Sequence, residues 1–293
     1  MTLAVIILTK NESVHLARCL TSVTRLANHI IVVDSFSIDS TKEISEKFGA
    51  TFIQNEFVNH AEQFNFALTQ LPLGVTWVLR IDADEYLSLQ LVCSIRKVIS
   101  SSSTFCGYTL KRKVWFCGKE IRYGGLFPVE IVRLFRLGYG VCEKRWMDEH
   151  IIVNGPVGSL QGDLIDHNLK SLTWWIQKHN LYSNREAFEV LKLKYGVTSK
   201  SNNLVGSVGF KRLIKERIYS KLPIVPKVVI YFLYRYVIRC GFLDGKNGFA
   251  FHFLQGFWYR YLVEIKIQEV EHYIRSNEAD FERAISEVLG INI

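Results

Sequence analysis

The sequence predicts an α/β fold: a mostly parallel sheet domain over residues 1–199, then an amphipathic helical segment over residues 200–293. Three observations lead there. Apolar runs alternate with helix-period segments through the first hundred residues. The polar clusters fall at the carboxyl ends of those runs. The excess positive charge sits in the aromatic C-terminal stretch.

The elements follow in order. Leu3–Leu8 is a continuous apolar run closed by Thr9-Lys10-Asn11-Glu12, as for a strand covered on both faces. Between Ser13 and Val23, residues Val14, Leu16, Ala17, Leu20 and Val23 recur at helical spacing. Strand Ile30–Val33 comes next, then a helix from Ser40 to Phe48 stopped by Gly49. Strand Thr51–Ile53, a helix from Ala61 to Leu71 and strand Thr76–Ile81 complete the alternation. Such a sheet binds ligands at the carboxyl ends of its strands, where Thr9–Glu12, Asp34–Asp39 and Asp82–Glu85 all lie. Residues 105–165 read as short strands, Gly107–Val114, Glu130–Phe135 and His150–Val153, and Leu169–Leu193 as a helix. A Ser/Asn/Gly-rich break at Lys200–Gly209 precedes helices at Phe210–Lys221, Val225–Cys240 and Phe249–Tyr273.

A hydrophobic fraction of 48% beside a formal charge of +8 suggests a membrane surface or an anionic ligand. The charge divides as net +3 over residues 1–199, +9 over 200–266 and −4 over 267–293. Pro223, Pro226, Lys227, Arg235 and Arg239 interrupt the longest apolar window, so an interfacial helix fits better than a spanning one. Basic residues set among long aromatics suit lipid rather than nucleic acid. The six cysteines show no paired spacing, as for reduced thiols, and the N-terminus reads as a first strand rather than a signal peptide.

Asp82-Ala83-Asp84 carries the most chemistry. Two carboxylates one residue apart point the same way out of a strand end and repel each other. A hard divalent cation, Mg²⁺ or Mn²⁺, with phosphate ligands of its own relieves that repulsion. The alternative is a solvated strand-end turn. No glycine fingerprint or Walker loop follows the first strand, which disfavours dinucleotide and P-loop chemistry. The hydroxyl and carboxyl side chains from Asp34 to Thr41 either cap the next helix or accept hydrogen bonds from a base or ribose.

These stretches resemble the family 2 glycosyltransferases of the GT-A, Rossmann-like fold, and among them the bacterial lipopolysaccharide-core and surface-polysaccharide transferases. The matching residues are Ile7–Glu12, Ile31–Ser35, Gln63–Leu68, Trp77–Glu85, Arg122–Gly125, Arg133–Arg136, Gly155–Gly158 and Gly241–Gly248. The resemblance implies that Thr9, Asn11, Glu12 and Asp34 line a nucleoside pocket, with Gln63 and Asn65 near the base or ribose. Ser35 stands where many relatives carry a second Asp. Asp82 and Asp84 would hold the metal on the donor diphosphate, with His167 as a third ligand rather than His150. Arg133 and Arg136 would meet the diphosphate or an anionic acceptor, or else form a plain salt bridge.

An inverting transferase also needs a general base. Glu149 is the preferred one, with Asp148 as the neighbouring alternative. The expected activity is metal-dependent, inverting transfer from a nucleotide-sugar, a UDP-sugar in this reading, to a lipid-linked saccharide. It would take place at the anionic cytoplasmic face of a bacterial plasma membrane. The competing class is a non-catalytic nucleotide-sugar-binding or membrane scaffold protein, which would release no nucleoside diphosphate.

Overall fold

The computed structural model describes residues 1–101, 103–143, 149–196 and 223–291. Its contacts group into two units, Met1–Lys170 and Ser171–Ile293. The expected linker Lys200–Gly209 and helix Phe210–Lys221 lie outside the described residues.

The first unit contains β1 (Thr2–Thr9), α1 (Ser13–Val23), β2 (His29–Asp34), α2 (Thr41–Lys47), β3 (Thr51–Gln54), α3 (His60–Thr69) and β4 (Val75–Asp82). There follow β5 (Glu85–Leu87), α4 (Leu89–Ser100), β6 (Gly107–Phe116), β7 (Lys119–Ile121), β8 (Val129–Arg136), β9 (Gly140–Cys142), β10 (Ile151–Val153) and β11 (Val157–His167). The main sheet runs β3-β2-β1-β4-β8-β6-β11-β5, with β7 beside β6, and β9 pairs separately with β10. Strands β3, β2, β1 and β4 are mutually parallel, as are β6 and β11, while β8 and β5 run against their neighbours. This is the expected, mostly parallel arrangement. Neither α4 nor β11 was expected from the sequence.

The period of two in β1 and β4 decides what each face meets. Leu3, Val5 and Ile7 join Leu16 and Leu20 of α1 and Ile95 of α4 in one core. Ala4 and Ile6 join Ala61 and Phe64 of α3 in the other. Each buried Leu or Ile contributes about 1.5–3 kcal/mol. A one-residue slip would put both sets on the wrong side, so the register is strongly specified. In β4, Trp77, Leu79 and Ile81 belong to the first core and Val78 to the second. Arg80 and Asp82 share the parity of Val78, which directs two charged side chains to the α3 side of the sheet.

Strand β11 reaches the same edge by passing close to α4. The Ser88 hydroxyl accepts from Leu91 N at 3.3 Å, capping α4, and from Asp163 N at 3.0 Å. Gly162 has φ +99°, and a Cβ there would lie 2.3 Å from Leu91 N. Only glycine fits that approach without displacing backbone. The register of β11 on β6 shifts at this point and delivers Asp163–His167 to the strand edge.

The second unit is helical: α5 (Leu172–Lys194), α6 (Ile224–Leu233), α7 (Gly245–His252), α8 (Tyr259–Asn277) and α9 (Phe281–Ala284). Wide π turns at Tyr234–Ile238, Phe253–Trp258 and Ile285–Leu289 extend α6, α7 and α9. The helix expected at Phe249–Tyr273 thus begins earlier, at Gly245, and contains a π turn. Ion pairs Arg260–Glu186 and Lys194–Glu271 join α5 to α8, and the Tyr259 hydroxyl donates to Glu186 at 2.7 Å. Among the described residues no helix is long and apolar enough to cross a membrane.

His179 of α5 stacks on Trp175 with ring centroids 3.5 Å apart, and burial pushes its imidazole down to about 4. The unfolded chain, with a histidine value near 6.5, therefore binds a proton between pH 6.5 and 4 that the folded chain does not. Its contribution to stability is complete above pH 6.5 and is lost as pH falls through 4. Replacing His179 with Phe keeps the stack and removes the titration. We expect the variant to lose less stability than the native chain between pH 7 and pH 4.5, as read by urea denaturation.

Candidate active site

The loops after β1 and β2 are tied together by their own side chains. The Thr9 hydroxyl donates to Asp34 Oδ1 at 2.8 Å, and Ser37 N donates to Asp34 Oδ2 at 2.7 Å. Asn11 has φ +53°, tolerable for asparagine, and its Oδ1 accepts from Ile38 N at 2.9 Å. Lys10 Nζ donates to the carbonyls of Ser35 and Phe36 at 2.6 and 2.7 Å. Phe36 itself is 52% exposed with φ +59°, a strained conformation for an aromatic residue. Glu12 is fixed from two sides: His15 Nδ1 donates to its Oε2 at 2.5 Å and Lys170 Nζ to its Oε1 at 2.8 Å. Because His15 Nε2 accepts from Leu169 N at 2.8 Å, the ring proton lies on Nδ1.

Beside these loops runs a ladder of alternating charge. Arg80 Nη2 donates to Glu149 Oε1 at 3.0 Å, and Arg80 Nε lies 3.7 Å from Asp82 Oδ1. Arg133 Nη2 donates to Asp82 Oδ2 at 2.8 Å and to Glu85 Oε1 at 3.0 Å. The order is Glu149, Arg80, Asp82, Arg133, Glu85. Both arginine side chains are under one-tenth exposed, whereas Asp82 is 37% exposed at the rim. Burial opposes ionisation of Asp82, but the guanidinium of Arg133, helped by Arg80, holds its carboxyl well below the usual range. Burial pushes Glu85 up to about 8 against the pull of Arg133, with Asp82 and Asp166 adding to the rise. Each acid of the ladder therefore faces a guanidinium, and burial opposes ionisation most at Glu85, its innermost member.

Asp84 stands apart from that ladder. Its Oδ2 accepts from the neutral amide of Asn168 at 3.1 Å, and no cation among the described residues pairs with its carboxylate. Arg18 holds its backbone instead: Arg18 Nη2 donates to Asp84 O at 3.2 Å and to His167 O at 2.5 Å. The His167 ring stacks on Trp115 at 4.9 Å, with its Nδ1 3.2 Å from Arg18 Nη1. Burial, then Arg18, pushes that imidazole down.

The residues expected from the sequence divide accordingly. Thr9, Asn11, Glu12, Asp34 and Ser35 occupy the ends of β1 and β2, while Asp82, Asp84, Arg133 and Glu149 gather at the end of β4 and beside it. Asp148 lies outside the described residues. Gln63 is buried, donating to Ser35 Oγ and Asn55 O, both at 3.2 Å, and it braces the β2 loop from below. Asn65 is spent on backbone, donating to Cys142 O at 3.0 Å and accepting from Cys142 N at 3.1 Å, which fixes β9.

Two expectations need correction. Arg136 pairs in register with Trp77 near the opposite end of β4, donates to Ser103 O and Phe105 O at 2.7 and 3.1 Å, and stacks on the Trp77 ring. It does not reach the loops after β1 and β2. His167 does not form a cluster with Asp82 and Asp84, because Arg18 and Trp115 hold its ring. Among the described residues no group of three or more His, Cys, Asp or Glu side chains is placed to hold a metal. The fit that remains is narrower. Mg²⁺ is commonly held by one or two carboxylates together with substrate phosphates, and Asp84 is the acid of the Asp82–Glu85 turn that no arginine among the described residues pairs with.

Sequence reasoning missed Arg80, Arg18, Asn168 and Lys170. Arg80 alone had a signal: a charge inside an otherwise apolar strand, two residues before Asp82 and on its face.

The sheet order, with an acid-rich edge at the ends of its parallel strands, is an α/β fold of the GT-A arrangement. Residues 4–111 match the family model "Glycosyl transferase family 2". A glycosyltransferase of Rickettsia typhi is 24% identical over 90% of this chain and 86% of its own length. The lipopolysaccharide core biosynthesis glycosyltransferase LpsC of Rhizobium meliloti is 27% identical over 86% of this chain and 89% of its own. Residues 4–111 thus carry a family 2 glycosyltransferase match, and both of these relatives are named as glycosyltransferases.

Among solved structures, S. aureus TarS aligns with 98% of this chain and 55% of its own, at 16% identity and TM-score 0.43. Glucosyl-3-phosphoglycerate synthase of Mycobacterium tuberculosis, crystallised with Mn²⁺, UDP and glucosyl-3-phosphoglycerate, aligns with 39% of this chain and 44% of its own, at 18% identity and TM-score 0.33.

Replacing Arg133 with Met strands Asp82 and Glu85 without their shared guanidinium. We expect a loss of about 3–5 kcal/mol by urea denaturation. Arg136→Met, which leaves those acids paired, should cost less by the same measurement.

Proposed function

We propose that the chain is an inverting, divalent-metal-dependent glycosyltransferase that moves a sugar from a UDP-sugar to a hydroxyl of a lipid-linked saccharide. The observation that carries this reading is the carboxylate of Asp84, which among the described residues accepts only from the Asn168 amide, beside a ladder whose acids each face an arginine. Thr9, Asn11, Glu12, Asp34 and Ser35 would form the nucleoside side of the pocket, with their loops already cross-braced. Asp82 would meet the donor at the rim. A bound Mg²⁺ or Mn²⁺ at Asp84 would supply charge compensation to the departing diphosphate.

The chain's own groups do the remaining work. Glu149 takes the proton from the acceptor hydroxyl as that oxygen forms its bond to the anomeric carbon. The electron pair of the broken bond leaves on the diphosphate oxygen, so no covalent enzyme intermediate is needed. Asp148 stays as the neighbouring alternative base. The likeness to LpsC over 86% of this chain, a protein named for lipopolysaccharide core synthesis, supports a saccharide acceptor on a lipid.

Function divides between residues 1–199, for donor binding and catalysis, and residues 200–293, for attachment to the anionic cytoplasmic face of a bacterial membrane. The second unit has the chemistry for that attachment. Phe249, Phe253, Phe257 and Tyr261 stack in sequence at 5.4–6.3 Å, and Phe232 and Tyr236 meet them edge-on. Ile238, Phe242, Leu243 and Phe249 are exposed, as are the cations Arg239 and Lys246. Asp244, the one acid between residues 223 and 261, is buried. An exposed aromatic surface carrying cations and no exposed acid suits the headgroup region of an anionic leaflet.

Asp84→Ala should abolish transfer of sugar from a UDP-sugar with Mn²⁺ present, while the fold, followed by circular dichroism, is retained. Full activity in that variant would remove the metal assignment. Exchanging Arg239 and Lys246 for Glu should lower co-sedimentation with phosphatidylglycerol vesicles about tenfold or more. Unchanged sedimentation would contradict the membrane assignment.

A further inference from the structure

We propose that Arg80 is a positioning residue of the transfer reaction, holding Glu149 in register with the donor-side carboxylate of Asp82. The inference rests on the reading of Glu149 as the base. Arg80 itself would touch neither substrate.

Glu149 lies just past residues 144–148, four residues before the end of β10, on backbone that the main sheet does not hold in register. A base that must meet an acceptor hydroxyl needs its carboxylate fixed to within a fraction of an ångström. Among the described residues, the hydrogen bond that fixes it comes from Arg80 at 3.0 Å. Arg80 can serve because its own position is over-determined. It sits within β4, whose neighbour is β1, and its guanidinium lies over the Phe64 ring at 5.3 Å. Its Nη1 meets Cys142 Sγ at 3.5 Å. The side chain is 6% exposed, so water does not compete for its donors.

The third nitrogen ties the base to the donor side. Arg80 Nε makes no hydrogen bond, although it is buried. It lies 3.7 Å from Asp82 Oδ1, close enough for charge attraction and too far for a hydrogen bond. One planar guanidinium therefore faces both the base, through Nη2, and the donor-side carboxylate, through Nε. Lysine, a single point of charge, cannot hold both at once. Glutamate at 149 and arginine at 80 form one unit, and its function is to set the distance between proton acceptor and leaving-group side.

The test is a double-mutant cycle in the full-length chain, using Arg80→Met, Glu149→Gln and the pair together. For each, kcat for transfer from UDP-sugar and Kd for UDP with Mn²⁺ are measured. If Arg80 acts through Glu149, each single change lowers kcat 10²-fold or more. The pair then costs no more than Glu149→Gln alone. Kd for UDP stays within about twofold throughout. Arg80→Lys should recover part of kcat.

Multiplicative losses in the pair, or a fall in UDP affinity matching the fall in kcat, would overturn the positioning role. Full activity in Glu149→Gln would instead remove the base assignment, so the two failures are distinct. Should Arg80→Met alone fold poorly with Glu149 unpaired, the pair still decides the matter, since it removes both charges. A pair less active than folded Glu149→Gln would count against the proposal.

Discussion

The structure of the candidate site's edge depends on two buried guanidiniums. Arg80 and Arg133 project from β4 and β8, strands that run antiparallel side by side, and between them they engage Glu149, Asp82 and Glu85. Removing either arginine leaves acids in a poorly hydrated site, the costly half of a buried ion pair. Each acid of that ladder faces a guanidinium, whereas the neighbouring Asp84 carboxylate accepts, among the described residues, only from the Asn168 amide. That asymmetry separates the acids that hold the edge together from the one with charge to spare.

The same economy governs the neighbouring loops. Asp34 is wholly buried, yet Thr9 and Ser37 satisfy its carboxylate. Glu12 is held between His15 and Lys170, which brings the end of β11 beside the end of β1. Polar groups that look like binding residues therefore also fasten the turns. A loop already braced loses little further freedom when a ligand arrives, which favours binding.

Much of the sheet was legible in the sequence because parallel strands covered on both faces are continuous apolar runs. Leu3–Leu8 needed nothing beyond that, and Trp77–Ile81 is such a run broken by Arg80. Strand β11 was not legible: Val157–His167 carries two glycines and two aspartates, and its pairing depends on the close approach of Gly162 to Leu91. The candidate site was half legible. Asp82 and Asp84 announce themselves by spacing, but their different roles come from Arg133 and Asn168, which are 51 and 84 residues away in the chain. Arg136 looked equivalent to Arg133 because both lie on one strand. The three-residue separation puts them at different depths along β8, and only Arg133 reaches the acids.

Everything turns on Asp84 being the acid left for a cation while Asp82 and Glu149 stay on their arginines. Anomalous diffraction from crystals of the full-length chain grown with UDP and Mn²⁺ tests this most directly. We expect a manganese peak within bonding distance of the Asp84 carboxylate and of the diphosphate, with Arg133 still on Asp82 and Arg80 still on Glu149. Bound UDP with the manganese away from Asp84, or with Arg80 turned away from Glu149, would contradict the account.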